Sequence, residues 1–152
     1  MHFFYTSLCL WIALITPSFA AQFTIQDPCG GKPWLQTQSD QAIGSSVGAL
    51  TVRSLQEAGL HFVGTEAGIT SIEGVPAAEK ALETVDAQTM RAYGWCYQID
   101  GFEPGVMPDQ YQLTKADVLV VWFLGYATYT QGQWVTMCAP TAKDKPVLFC
   151  QP

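Results

Sequence analysis

Asp117-Val118-Leu119-Val120-Val121-Trp122-Phe123-Leu124-Gly125-Tyr126 is the stretch from which the fold is read. From Val118 onward it is apolar without alternation, and a strand of that kind is covered on both faces and therefore central. One helix can cover one of those faces. The other needs a second layer, a ligand or a partner.

Outward from this run, Gly94-Trp95-Cys96-Tyr97-Gln98-Ile99-Asp100-Gly101 gives the clearest hairpin signal. Trp95, Tyr97 and Ile99 alternate with Cys96 and Gln98, and Asp100-Gly101 supplies the positive φ angles of a tight turn. A Pro/Gly-rich connection, Glu103 to Pro108, separates it from Tyr111, Leu113 and the central run. Further back, Val47, Leu50, Leu55 and Ala58 recur at near-helical spacing, with Ser46 or Thr51 as alternative caps. Gly59 suits the end of that helix. Phe23 to Ile25 reads as a first strand, residues 27 to 46 as a loop, and Leu60 to Val63 and Ile69 to Val75 as short strands. Pro76 opens a second helical stretch in which Ala78, Ala81, Leu82 and Val85 share a face. Gln133 to Cys138 and Val147 to Cys150 read as a terminal hairpin.

Leu8 to Ile15 is a short apolar run without charge, followed by Ser18 and Ala20 at the spacing signal peptidase requires before Ala21. Residues 1–20 are thus expected to be a cleaved signal peptide and residues 21–152 a single domain. The alternative is a retained N-terminal anchor. Removing 20 of the 152 residues leaves all seven Lys and Arg and all thirteen Asp and Glu, so the net charge of −6 belongs to the domain. Such a charge is repelled by phosphate backbones, which argues against nucleic acid as a partner. No later segment reads as a membrane span, so no stable membrane insertion is expected after cleavage.

Cys29, Cys96, Cys138 and Cys150 in an exported chain imply two disulfides, with three connectivities open. The turn-rich loop between Cys138 and Cys150 favours that pair, which leaves Cys29 with Cys96. A metal site is disfavoured by the lack of any Cys-x-x-Cys pair. Asparagine is absent from the sequence, which excludes N-linked glycosylation.

Four segments in order carry a resemblance. They are Thr51-Val52 leading to Leu55 and Ala58, then Ile69-Thr70-Ser71-Ile72-Glu73-Gly74-Val75, then the Gly94 to Gly101 hairpin, and last Asp109-Gln110-Tyr111-Gln112-Leu113 with Asp117 to Trp122. Together they resemble the transcobalamin-like C-terminal domain family over roughly residues 47 to 126. The resemblance implies an α+β, β-grasp-like mixed sheet packed on one main helix. A second short helix and a disulfide-stapled C-terminal hairpin would complete it. Three departures stand out. Asp100 replaces the usual Asn, Ala116 replaces a turn glycine, and residues 76 to 93 are longer than the usual connection. The tail after Tyr126 lies outside the pattern, and no second, helical domain is expected within these residues.

The family closes over one face of a corrinoid in cobalamin carriers, so the resemblance implies binding and, by analogy alone, a cobalamin-like ligand. Otherwise no cofactor is expected. Gly44-Ser45-Ser46-Val47-Gly48 fits the nucleophile-elbow pattern, but no strand precedes it and His61 follows too soon for a hydrolase triad. Glu79, Glu83 and Asp86 read as a solvated face. The aromatic residues crowd the C-terminal half. Trp95, Tyr97, Phe102, Tyr111 and Tyr126 are the expected ligand-binding set, since aromatics with polar tips favour binding surfaces. The expectation is an exported, non-enzymatic binding module in the periplasm or extracellular space, with a small molecule or an envelope protein as partner. The alternatives are a corrinoid binder and an envelope protein that acts by strand-edge pairing.

Overall fold

The computed structural model describes residues 20–40 and 42–150; residues 1–19 of the expected leader lie outside the described residues. The chain is an α+β structure built on one mixed sheet. In order come β1 (Ala21–Ile25), β2 (Leu35–Ser39), α1 (Val47–Glu57), β3 (Phe62–Thr65) and β4 (Gly68–Ile72). They are followed by β5 (Leu82–Thr84), β6 (Thr89–Ile99), β7 (Leu119–Thr130), β8 (Gln133–Pro140) and a single turn, α2 (Thr141–Asp144). No described helix is long and apolar enough to cross a membrane.

The central run forms most of β7, and it is central as its composition requires. The sheet order is β2-β1-β7-β6-β5, with β8 also paired to β7. β6 runs antiparallel along the length of β7, while the other flank of β7 is shared. β1 lies parallel to its first half (Gln22 opposite Leu119), and β8 lies antiparallel to its second half (Tyr129 opposite Trp134). β3 and β4 form a separate hairpin.

Both faces of β7 are covered from Trp122 to Gly125, each by a different device, whereas Leu119 is exposed and Val121 half-buried on the second face. Val120, Trp122 and Leu124 join Phe23, Ile25, Trp95, Tyr97 and Ile99 in a core with Val47, Leu50 and Leu55 of α1. This is a β-grasp-like sheet on one main helix. On the other face Phe123 is buried, and a side chain at Gly125 would come within 2.9 Å of Cys96 Sγ and 3.4 Å of the Ala139 carbonyl. The second layer is therefore the Cys96–Cys138 disulfide and the end of β8.

The disulfides are Cys29–Cys150 and Cys96–Cys138, which corrects the pairing favoured from loop length. The cause is β8. It does not pair with residues 147 to 150, which form a turn, but with β7, through a Gln131-Gly132 turn with φ of 50° and 79°. That pairing carries Cys138 across the sheet to Cys96. The tail then folds back, so that the buried Thr141 hydroxyl lies 2.8 Å from the Pro28 carbonyl and 2.9 Å from that of Leu124. Cys150 thereby reaches Cys29.

The helical stretch expected after Pro76 is also corrected. One 3₁₀ turn occupies Ala78–Lys80, and Leu82–Thr84 is strand β5, paired to β6. Leu82 and Val85, on the expected apolar face, are 65% and 47% exposed, so a helix there would have nothing to bury. The second helix of the fold is α2. The strand expected over Leu60 to Val63 begins at Phe62, and the loop over 27 to 46 contains β2.

Candidate functional site

The site begins with the alternation of β6. Trp95 and Tyr97 point to the core face, each 8% exposed, and each polar tip is engaged. Trp95 Nε1 donates to the Val75 carbonyl at 2.7 Å, and the Tyr97 hydroxyl donates to the Val106 carbonyl at 2.9 Å. Behind them, the Trp122 ring lies 5.5 Å from that of Tyr97, and Trp34 lies 5.7 Å from Trp95. Burial, with Tyr111 and Asp109 nearby, raises the Tyr97 pKa above its ordinary value. The phenol stays a neutral donor, and the bond to Val106 fixes the 103–108 segment beside the sheet.

These contacts leave a cleft of about 550 Å³ at the outer flank of β6. One wall is the β3–β4 hairpin, with Ala67 of its turn and Ile69 and Thr70 of β4; the other is the segment from Glu103 to Pro108. Trp95, Cys96 and Tyr97 line it, with Trp122 and Cys138 behind. Glu103 is the single charged residue among the described residues that line it, and Met107 is 54% exposed. That size and apolar character fit the usual range of small-ligand sites.

Of the five residues expected to bind ligand, Trp95 and Tyr97 line this cleft, and half-buried Tyr111 stands close to the Tyr97 hydroxyl. Phe102 does not line it: it follows the Asp100-Gly101 turn and is 67% exposed. Tyr126 belongs to a different group of side chains. Its hydroxyl donates to Asp144, and the Arg91 guanidinium sits 4.6 Å from its ring centre. The sequence reading missed Ile69, Pro104, Val106 and Met107. The apolar residues inside a Pro/Gly-rich connection were the available signal.

The Tyr126 group has a titration consequence. Arg91 also lies 4.0 Å from Glu83, whose carboxylate accepts a hydrogen bond from the Tyr93 hydroxyl. Burial first, and the Glu83 carboxylate second, push the Tyr93 pKa up to about 12. The unfolded phenol ionises near its ordinary value of 10, so above that pH the unfolded state holds fewer protons than the native state. Stability supplied by Tyr93 is then present below pH 10 and lost as pH rises toward 12. Urea titrations across that window should show a steeper fall for the native sequence than for Tyr93→Phe; parallel curves would contradict it.

Ser46, of the elbow-like motif, is the N-cap of α1: its hydroxyl oxygen accepts from the Ala49 N–H at 3.0 Å. His61 is exposed and is not among the residues lining the cleft. Glu79 and Asp86 are exposed as expected, whereas Glu83 is held by Tyr93 and Arg91.

Compared with protein-family models and with curated proteins, the chain matches none. Among solved structures it is similar to the crystal structure of haptocorrin in complex with Cbi, at 12% identity and a TM-score of 0.40. The similarity covers 68% of this chain and 24% of that one, a distant likeness of fold over about a quarter of the neighbour's length.

Proposed function

We propose that this chain is an exported, non-enzymatic binding module that holds an apolar ligand in the cleft beside β6. The observation that carries this reading is the cleft itself. Two aromatic side chains are fixed there by hydrogen bonds to Val75 and Val106, opposite exposed apolar residues and a single carboxylate. Rigid aromatic walls lose little entropy when a ligand settles on them. Export is supported by the expected leader and by two disulfides, which persist in oxidising compartments.

Nile red, a neutral and flat dye, tests the reading without knowledge of the natural ligand. Its emission should rise saturably at one site, with a Kd of about 10 µM. Met107→Asp, at an exposed position on the cleft wall, should weaken binding by about fivefold or more through the cost of desolvating the charge. Met137→Asp, at a position 70% exposed and outside the cleft, should not. Equal effects of the two variants, or no saturable signal, would remove the cleft as the site. Cobinamide is the second probe, because the transcobalamin-like resemblance implies a corrinoid. Its displacement of Nile red would narrow the ligand to that class.

A further inference from the structure

The cleft contains backbone groups as well as apolar side chains. One residue past the end of β6, the Asp100 N–H donates to the Leu119 carbonyl, so even-numbered residues here face β7. The odd-numbered ones face outward. The Tyr93 N–H donates to Ala81 and the Ile99 N–H to Phe102, each at 2.8 Å. By the alternation of an antiparallel ladder, the N–H and C=O of Trp95 and Tyr97 also point outward, into the cleft. Among the described residues no strand pairs with β6 there: β5 stops at Leu82 opposite Ala92, and β4 belongs to another sheet. The result is a short open edge, Gly94 to Gln98, closed at both ends and walled on both sides.

We propose that the ligand of this cleft is an extended peptide segment of a partner protein, added as a strand to the outer edge of β6. The proposal rests on the cleft being the binding site. Trp95 and Tyr97 together offer two N–H donors and two carbonyl acceptors, which an extended backbone satisfies and a flat ring does not. Five positions span about 17 Å, room for one short strand. The β3–β4 hairpin and the 103–108 segment flank the edge, so a single segment enters where a second whole sheet would collide. Alternate side chains of the segment would rest on Ile69, Pro104 and Met107. Glu103 in the lining, Asp109 near the Tyr97 hydroxyl and a net charge of −6 select an uncharged or basic segment over an acidic one.

A displayed library of random short linear peptides, selected on the folded wild-type domain, supplies the probe. Enriched peptides should alternate apolar with polar residues, carry Lys or Arg rather than Asp or Glu, and displace Nile red. In one such peptide, methylating every second backbone nitrogen should weaken binding by about tenfold in one phase and by about twofold or less in the other. Hydrogen exchange at the Trp95 and Tyr97 amides should slow on peptide binding but not on Nile red binding. No enrichment, equal effects of the two methylation phases, or unprotected amides would overturn strand addition. If Nile red still saturates in that case, the binding reading stands and only the ligand class fails. If Nile red fails as well, both fail.

Discussion

Replacing Cys29 and Cys150 together by Ser is expected to cost about 5 kcal/mol of unfolding free energy by the chain-entropy account of a cross-link. The bond joins residues 121 apart, so its loss frees nearly the whole described chain in the unfolded state. Cys96–Cys138 spans 42 residues, and its removal should cost about 4 kcal/mol on the same account. Either loss is comparable to the whole stability of many domains of this size, about 5–15 kcal/mol. Urea unfolding of the two double variants should therefore order them with the long-range pair as the more damaging. One structural feature works against that order. Thr141 beside the Pro28 and Leu124 carbonyls, and Phe149 against Tyr93 at 4.8 Å, hold the tail in place without the bond. A loss below about 1 kcal/mol for Cys29→Ser/Cys150→Ser would mean that these contacts, not the cross-link, fix the tail.

The elements legible in the sequence are those whose residues state their own environment. Trp122 to Gly125 shows no alternation because it is covered twice, while Leu119 and Val121 are equally apolar but exposed and half-buried. The Asp100-Gly101 turn, with φ of 52° and 80°, is written in its two residues. β2 was not legible, since Leu35-Gln36-Thr37-Gln38-Ser39 is a half-exposed edge whose partner, β1, precedes it across a loop. Residues 78 to 85 have helical spacing and still become a turn and a strand. Met90 to Ala92 of β6 takes them as a neighbour, and local propensity yields to that pairing. Cysteine pairing depends on where β8 carries Cys138, which no spacing rule contains.

The site divides in the same way. Trp95 and Tyr97 could be found because strand alternation places them on one face. The wall opposite them could not, because its position depends on the Tyr97 bond to Val106. Tyr126 shares their chemistry and lies opposite Tyr93, four residues from Tyr97 along β6, where Arg91 and Asp144 engage it instead.

Trp122→Ala should be the most damaging single substitution in the core, at about 3–5 kcal/mol, since it empties a large, fully buried volume. Trp122 is 1% exposed, and its Nε1 donates to the Thr51 hydroxyl at 2.8 Å. That hydroxyl in turn donates to the Val47 carbonyl at 2.7 Å, so the sheet is tied to the first turn of α1 by a two-bond chain. Trp122→Phe keeps most of the volume and should cost about 1–2 kcal/mol. Thr51→Val orphans the indole N–H and should cost about 1–3 kcal/mol. The two together should cost less than their sum, because the second change removes the group that the first left unpaired. Strict additivity in urea unfolding would show that the bond contributes nothing. The same residue reaches the cleft, since its ring supports Tyr97 from behind at 5.5 Å. Trp122→Phe should thus loosen Tyr97 and weaken Nile red by about threefold or more, whereas Thr51→Val, which leaves both rings in place, should not. A loss of binding in both variants would mean that the cleft responds to global stability, and in neither that Tyr97 is held by Val106 alone.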